Sequence, residues 1–401
     1  MKTAIMASAN APGVSELHVS LADISTSHWR AWHVAALADF SEQTIPQAPA
    51  NLARTLLDGL YLWDMWPLQL SDGSTAKPDG WTVWFILSSP AIPDPDLRHG
   101  LARIRLVIEK DGEWRDCGNA LPDGHNPGSR EWAGTSVFDP DTGKVTLFYT
   151  VAGYPGEDPI TFAQRLFQTS GKLRFEYGVA EITDWCAPTE SVESDGHHYM
   201  IVNQKEGVPG FIKGFRDPAH FRDPATGGDF LLFTGSIPNA KSDWNGCIGI
   251  AEATSAGFSG WQLLPPLVAA DGLNNEQERP HVIVQGGLYY LFWSTQRKVF
   301  EPKGPNGPNG LYGMVAPSLF GPYEPINGTG LVAANPDSEP FQYYSWWVMD
   351  DLQVASFVDL VGVGTGPVTD DPAWRREHFG GVPAPRFRIC LDGNRAWVDQ
   401  G

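Results

Sequence analysis

Apolar residues run through most of this chain in short stretches broken by Gly, Pro, Asn and Asp, the pattern of strands and tight turns. The clearest predicted strands are residues 81–87, 103–108, 145–149, 230–234, 288–293 and 354–358. Helical spacing is scarce. Over residues 27–40, Trp29, Trp32, Val34, Ala35 and Leu37 fall on one helical face, and residues 50–60 predict a second short helix. Strands and helices do not alternate, which argues against a parallel α/β sheet. The expected fold class is all-β.

A repeated plan orders these strands. Residues 136–150, 219–234 and 281–294 each read as an apolar strand, a tight turn and an aromatic strand. Each hairpin follows a short motif: Glu131-Trp132-Ala133-Gly134-Thr135, then Arg216-Asp217-Pro218, then Glu278-Arg279-Pro280. Equivalent positions in radial repeats converge on one axis, so the motifs are expected to line a central pocket. Units roughly 60–85 residues apart, against blades of ~40–50 residues plus loops, imply about five blades. The expectation is a single-domain, five-bladed β-propeller over 1–401, with residues 1–50 as a helical or irregular segment packed on it.

Composition narrows the partners. The 401 residues are 42% hydrophobic and 12% aromatic, ample for a large core. Of the 16 Trp, about two thirds are expected between sheets and the rest as faces for stacking sugars. A net charge of −19 argues against nucleic acid or an anionic membrane, because phosphate binding needs a basic patch. Cys117, Cys186, Cys247 and Cys390 form no CxxC pair, so zinc-ribbon and redox readings fail, while one disulfide stays open. Cys247, within Gly246-Cys247-Ile248-Gly249-Ile250, reads as a buried strand thiol. Met1 to Pro12 shows no basic region followed by an apolar run, and no stretch reaches membrane-spanning length. A soluble protein is expected, cytoplasmic or exported by a route without a visible signal.

Three acidic motifs point to chemistry. Asp64 lies in Trp63-Asp64-Met65-Trp66-Pro67, otherwise apolar, where an unpaired carboxylate is costly to bury. A turn or cap role suits Asp64 equally well. Phe-Arg-Asp-Pro-Ala occurs at 215–219 and again at 221–225. The second copy runs into Thr226-Gly227-Gly228-Asp229, so Asp223 reads as a solvated turn residue and Asp217 as the functional one, with Arg216 keeping it ionised. Glu276 and Glu278 share one side of an extended strand, with Arg279 able to pair with either. A shared pocket would raise the pKa of one Glu, as a general acid requires; a structural Glu–Arg pair accounts for them equally. Carboxylates gathered in one pocket are what glycoside cleavage uses. His197-His198 and Asp139-Pro140-Asp141-Thr142-Gly143 read as polar turns, and Asn327-Gly328-Thr329 as a chance sequon.

Together and in this order, the motifs resemble glycoside hydrolase family 68, the levansucrases, inulosucrases and β-fructofuranosidases acting on sucrose. The likeness runs from about Trp29 to the C-terminus. It implies a five-bladed propeller with a deep axial pocket. It matches Asp64 to the nucleophile forming a fructosyl-enzyme, Asp217 to the transition-state stabiliser and Glu278 to the general acid/base. Glu276 matches a supporting carboxylate near the glucosyl unit. Trp63, Trp132 and Arg216 match pocket-lining residues, and Tyr344 a tyrosine near the acid/base. Ala133 stands where many Gram-positive members have Ser, as in the Gram-negative branch. Asn275 replaces an Asp that ligates calcium in Gram-positive members, so no metal or cofactor is expected.

Gln296 falls where levan-forming members carry Arg or His, and Trp293 and Trp346 also depart from the family pattern, so the acceptor side looks rebuilt. The resemblance therefore implies a retaining β-fructofuranosidase that hydrolyses sucrose with some transfer to short acceptors. The alternatives are a levansucrase making β-2,6 fructan and fructo-oligosaccharides, and a non-catalytic sugar-binding propeller. The expected partners are sucrose and sugar or water acceptors.

Overall fold

Five antiparallel sheets follow one another along the chain in the computed structural model, which describes residues 24–203, 207–208 and 211–400. Met1 to Pro12, where a leader was sought, lies outside the described residues. Blade 1 comprises Leu60–Gln69, Thr82–Pro90, Arg103–Lys110 and Glu113–Asn119. Blade 2 comprises Arg130–Asp139, Lys144–Ala152 and Gln164–Glu176, the last flanked by Val179–Thr183 and Thr189–Val192. Blade 3 runs through Phe215–Arg222, Asp229–Ser236, Gly246–Ala253 and Trp261–Ala269. Blade 4 has Glu278–Gln285, Leu288–Thr295 and Gly310–Ala316, with Glu324–Pro325 and Leu331–Ala334 on its outer side. Blade 5 has Tyr343–Val348, Gln353–Val358, Phe387–Asp392 and Arg395–Val398. This is a five-bladed β-propeller. The three repeats read from sequence are the inner hairpins of blades 2, 3 and 4.

The first strand of each blade is its inner strand, and these five strands pack on one another. Blades 1 and 2 join directly, Leu68 and Gln69 pairing in parallel with Ser136 and Val137. Thr135 Oγ1 donates to the Pro218 carbonyl at 3.1 Å, tying blade 2 to blade 3. The Val348 amide donates to His281 Nε2 at 2.9 Å, tying blade 5 to blade 4. Burial pushes the His281 imidazole down to about 3, so it stays neutral and accepts this bond.

All five inner strands slip register at the same level. The slips fall between Trp63 and Met65, Trp132 and Gly134, Arg216 and Ala219, Glu278 and His281, and Tyr344 and Trp347. A bulge leaves a residue unpaired and turns its side chain off the sheet face. Four bulges hold a non-glycine residue at positive φ: Asp64 (38°), Asp217 (59°), Arg279 (52°) and Ser345 (60°).

The predicted N-terminal helices are mostly absent. Ser27–His28 is a short strand running parallel to the outer strand of blade 3, and only Ala31–Ala35 is helical. The apolar spacing there serves tertiary packing: Trp29 is buried edge-on to Trp293 with its Nε1 donating to the Thr329 carbonyl at 2.9 Å. Residues 50–60 form turns, not a helix. Pro46 and Pro49 stand just upstream, and Leu52, Leu56 and Leu57 pack on the propeller body. The helix that does form late, Pro372–His378, starts from Asp371, whose carboxylate accepts the Ala373 amide.

Trp293 and Trp346 are fully buried, Trp346 edge-on to Phe387, so these two departures fill the core. Asp223 is also buried rather than solvated. Its carboxylate accepts the Ala225 amide, the Thr226 hydroxyl and, at 2.6 Å, the Tyr289 hydroxyl. Cys247 is buried in its strand as expected, and all four cysteines are free thiols. Both amide hydrogens of Asn327 are spent on the Leu331 and Ala396 carbonyls, which occupies the would-be sequon internally. No helix among the described residues is long and apolar enough to cross a membrane.

Candidate active site

The bulges gather the sequence-predicted carboxylates around two buried guanidinium groups. Arg216, in the inner strand of blade 3, reaches Glu278 Oε1 at 2.9 Å and Glu276 Oε2 at 3.3 Å through one nitrogen. Its Nε lies 3.7 Å from Asp217 Oδ2. Three carboxylates from two blades therefore share one fork, the geometry that suits guanidinium better than ammonium. Arg216 is itself steered from below, its Nη1 meeting Gln164 Oε1 and the Lys213 carbonyl.

Arg279 does something other than expected. Its side chain pairs with neither neighbouring Glu; it donates to the carbonyl and hydroxyl of Ser345 at 3.0 and 2.7 Å and to the Met65 carbonyl. It thus clamps blade 4 to blades 5 and 1 beside Asp64. The positive φ of Arg279 turns its amide onto Asp217 Oδ2 at 3.2 Å. Thr234 Oγ1 donates to the same oxygen at 3.0 Å, and the Asp217 amide donates to Thr150 Oγ1 at 2.8 Å. Asp217 is therefore held from three sides.

Each carboxylate experiences a different field. Burial raises the pKa of Asp64, opposed by Arg279 and by a hydrogen bond from Ser345, and helped by the charge of Glu278. Burial pushes Asp217 up to about 6 against the pull of Arg216. Glu276 is pushed up to about 7, by burial first and then by the negative charge of Glu278. Glu276 Oε1 also accepts the Ile212 amide and the Asn275 side-chain amide. The buried Tyr344 hydroxyl donates to Glu278 Oε2, and Tyr344 also bonds Gln296. Glu278 keeps a side-chain exposure of 20%, so it is within reach of solvent.

Aromatic and cationic groups complete the surroundings. Trp63 is buried, with the Arg98 guanidinium over its ring and His99 edge-on at 5.7 Å. Trp132 Nε1 donates to the His99 carbonyl at 3.2 Å, joining blade 2 to the turn Pro95–Leu101. That turn is braced by Arg375 of the late helix, 3.0 Å from Asp96. The nine residues singled out from sequence fall into this one region: Trp63, Asp64, Trp132, Arg216, Asp217, Glu276, Glu278, Gln296 and Tyr344.

Sequence reasoning missed Arg98, His99, Gln164, Lys213, Thr234 and Ser345. These come from a turn, a loop and the inner, second and third strands of different blades, where only the fold reveals which side chains meet the motifs. Two surface grooves, of about 640 and 370 Å³, lie elsewhere, the first lined by Glu42 and Trp397 and the second by Leu56 and Trp114.

The side-chain oxygen of Asn275 already accepts a hydrogen bond from the Lys213 ammonium at 2.9 Å, and calcium favours carboxylate-rich oxygen cages.

The levansucrase/invertase family model matches residues 19–245 and 239–401. A levansucrase from Rahnella aquatilis is 34% identical over 384 residues, covering 86% of this chain and 87% of the relative. A levansucrase from Pseudomonas syringae pv. actinidiae is 32% identical over 383 residues, covering 86% and 84%. Among solved structures, the inulosucrase from Halalkalicoccus jeotgali bound to kestose superposes with a TM-score of 0.86 at 37% identity, covering 93% and 95%. By match length, identity and shared architecture, the chain belongs to glycoside hydrolase family 68, the levansucrase/invertase family of sucrose-acting enzymes.

Proposed function

We propose that this protein is a retaining fructosyltransferase, taking the fructosyl unit from sucrose and passing it mainly to sugar hydroxyls, with water as a competing acceptor. The observation that carries this is the convergence of Asp64, Asp217 and Glu278, from three blades, around Arg216 and Arg279. In this reading Asp64 attacks the anomeric carbon of the fructosyl unit while Glu278 gives its proton to the departing glucose oxygen. Glu278 then takes the proton of the incoming hydroxyl, which attacks the Asp64 ester and restores the original anomeric configuration. Asp217, oriented by Thr234 and the Arg279 amide, holds the fructosyl ring and the charge that develops on it. Trp63, Trp132 and Glu276 bind the substrate. The whole chain acts as one catalytic unit and needs no cofactor.

The hydrolysis-led expectation gives way here, because the relatives named above are levansucrases and an inulosucrase. One observation still favours hydrolysis as a second reading. Gln296, bonded to Tyr344, carries no ionisable group where the resemblance expects Arg or His in a polymer-forming member. Incubation with concentrated sucrose decides between them. Glucose in excess over fructose, with fructosylated oligosaccharide or polymer, supports transfer; equal glucose and fructose supports hydrolysis. If neither sugar is released, a sugar-binding propeller without catalysis is the remaining reading.

A further inference from the structure

A buried lysine lies behind the carboxylates with no role in the mechanism above. Lys213 is 8% exposed, and its three ammonium hydrogens are all used. They go to the Asp243 carbonyl, to Asn245 Oδ1 at 2.7 Å and to Asn275 Oδ1 at 2.9 Å. Three oxygens, two from residues 243–245 and one from Asn275, thus surround one point, and a fixed positive charge fills it. The Phe211 ring faces the same nitrogen at 5.0 Å.

The oxygens cannot swap with their amide nitrogens. Asn275 Nδ2 donates to the Ile212 carbonyl at 2.9 Å and to Glu276 Oε1 at 3.2 Å, while Asn245 Nδ2 donates to the Ile237 carbonyl at 2.6 Å. Each asparagine therefore presents its oxygen to the lysine. At its other end, the Lys213 carbonyl accepts Gln164 Nε2 at 2.8 Å and Arg216 Nη1 at 3.5 Å. One residue is thereby bonded to both partners of the Arg216–Glu276 pair, through Asn275 on one side and through its own backbone on the other.

We infer that Lys213 is a positioning residue that serves as a built-in cation, holding Asn275 so that Glu276 and Arg216 keep their places, and that this spot takes no metal ion. A lone buried ammonium is costly unless its donors are satisfied. Here the donors are satisfied by neutral oxygens, and the negative charges of Asp243 and then Glu276 favour the ammonium in turn. Two neutral amides and a carbonyl around an ammonium leave neither the room nor the carboxylates that a divalent cation requires.

The test measures glucose release from sucrose by wild type and by Lys213→Ala, each corrected for folded fraction, together with thermal unfolding. In Lys213→Ala, KM for sucrose should rise about 10- to 100-fold, the span expected for losing hydrogen bonds to a charged group, with a smaller fall in kcat. Millimolar methylammonium should restore part of that loss in the variant and leave wild type unchanged. Wild-type KM and Tm should be indifferent to a chelator and to added calcium. An unchanged KM in the variant, a fall in kcat alone, or a wild-type Tm raised by calcium would each overturn the inference. If the alanine variant does not fold, Lys213→Met and the chelator and calcium arms on wild type still decide it. Failure of wild type to release glucose would count against the sucrose assignment only, leaving the Tm arms to judge Lys213.

Discussion

Asp64, Asp217, Arg279 and Ser345 adopt a backbone conformation that L-residues avoid, at a cost of about 1–3 kcal/mol each for most side chains. Asp tolerates this region better than a branched or bulky residue, because its short carboxylate bonds locally. The strain has a use: at a bulge it turns the carboxylate off the strand and towards the axis. Removing the attacking group in Asp64→Ala should lower kcat by about 10⁴-fold or more, as loss of a covalent nucleophile does elsewhere. Glu278→Gln should cost about 10²- to 10⁴-fold, the range for a lost general acid. Initial glucose release measures both, and near-normal turnover in either variant would falsify the assignment. Glu276, pushed up to about 7, adds a second negative charge beside Glu278 as pH rises through neutrality. Any limb of kcat/KM near pH 7 that reports Glu276 ionising should therefore be present in wild type and absent in Glu276→Gln; a limb near pH 7 that persists in the variant would count against its origin in Glu276.

The element that matters most is the bulged inner strand, repeated five times. Each needs a backbone able to swell at one level while its neighbours stay close. Gly134 shows how tight this is: a β-carbon there would lie 1.9 Å from the Phe148 carbonyl oxygen and 2.7 Å from the Tyr149 α-carbon. Gly134→Ala should therefore destabilise the fold by about 3 kcal/mol or more, read as a lower Tm, because backbone and not a flexible side chain must move. A Tm within a degree or so of wild type would show that the strand pair gives way easily. Thr234 tests the same level from the second strand of blade 3. Thr234→Val keeps the shape but removes the hydroxyl shared by Asp217 and the Gln277 carbonyl. A fall in kcat/KM of about tenfold is expected for one bond to a charged group, with Tm changed less.

Across the whole molecule, acidity and burial act in the same direction on stability. Glu131 and Asp217 are each pushed up to about 6 and Glu276 to about 7, burial being the first cause in all three. A carboxyl whose pKa is raised by folding favours the folded state most when protonated. Its contribution is thus full below the unfolded value near 4 and is lost as pH climbs through 6 to 7. The net charge of −19 adds self-repulsion over the same range. Tm should be higher near pH 5 than near pH 8, and added salt should narrow the gap by screening the surface part. A Tm that rises steadily from pH 5 to 8 would show that the ion pairs with Arg103 and Arg216 outweigh burial.

Much of this was legible in the chain itself. Period-2 apolar runs, turn residues and a recurring hairpin specify blades because each is a local pattern that folding does not rewrite. The acidic motifs at the head of the repeats mark the level at which the carboxylates meet for the same reason, since equivalent positions in a propeller meet at its axis. The N-terminal helices were misread because Trp29 is placed by Thr329, 300 residues away, and Leu52, Leu56 and Leu57 by packing on the propeller core. Partner choice was also beyond local reading: Arg279 follows Glu278 directly yet bonds Ser345 and Met65, while Arg216, from another blade, takes both glutamates. A side chain's neighbours along the chain are fixed by covalent geometry. Its neighbours in space, and so its charge partner, depend on which bulge turns it inward and which blade lies alongside. That was decided only when the ring closed.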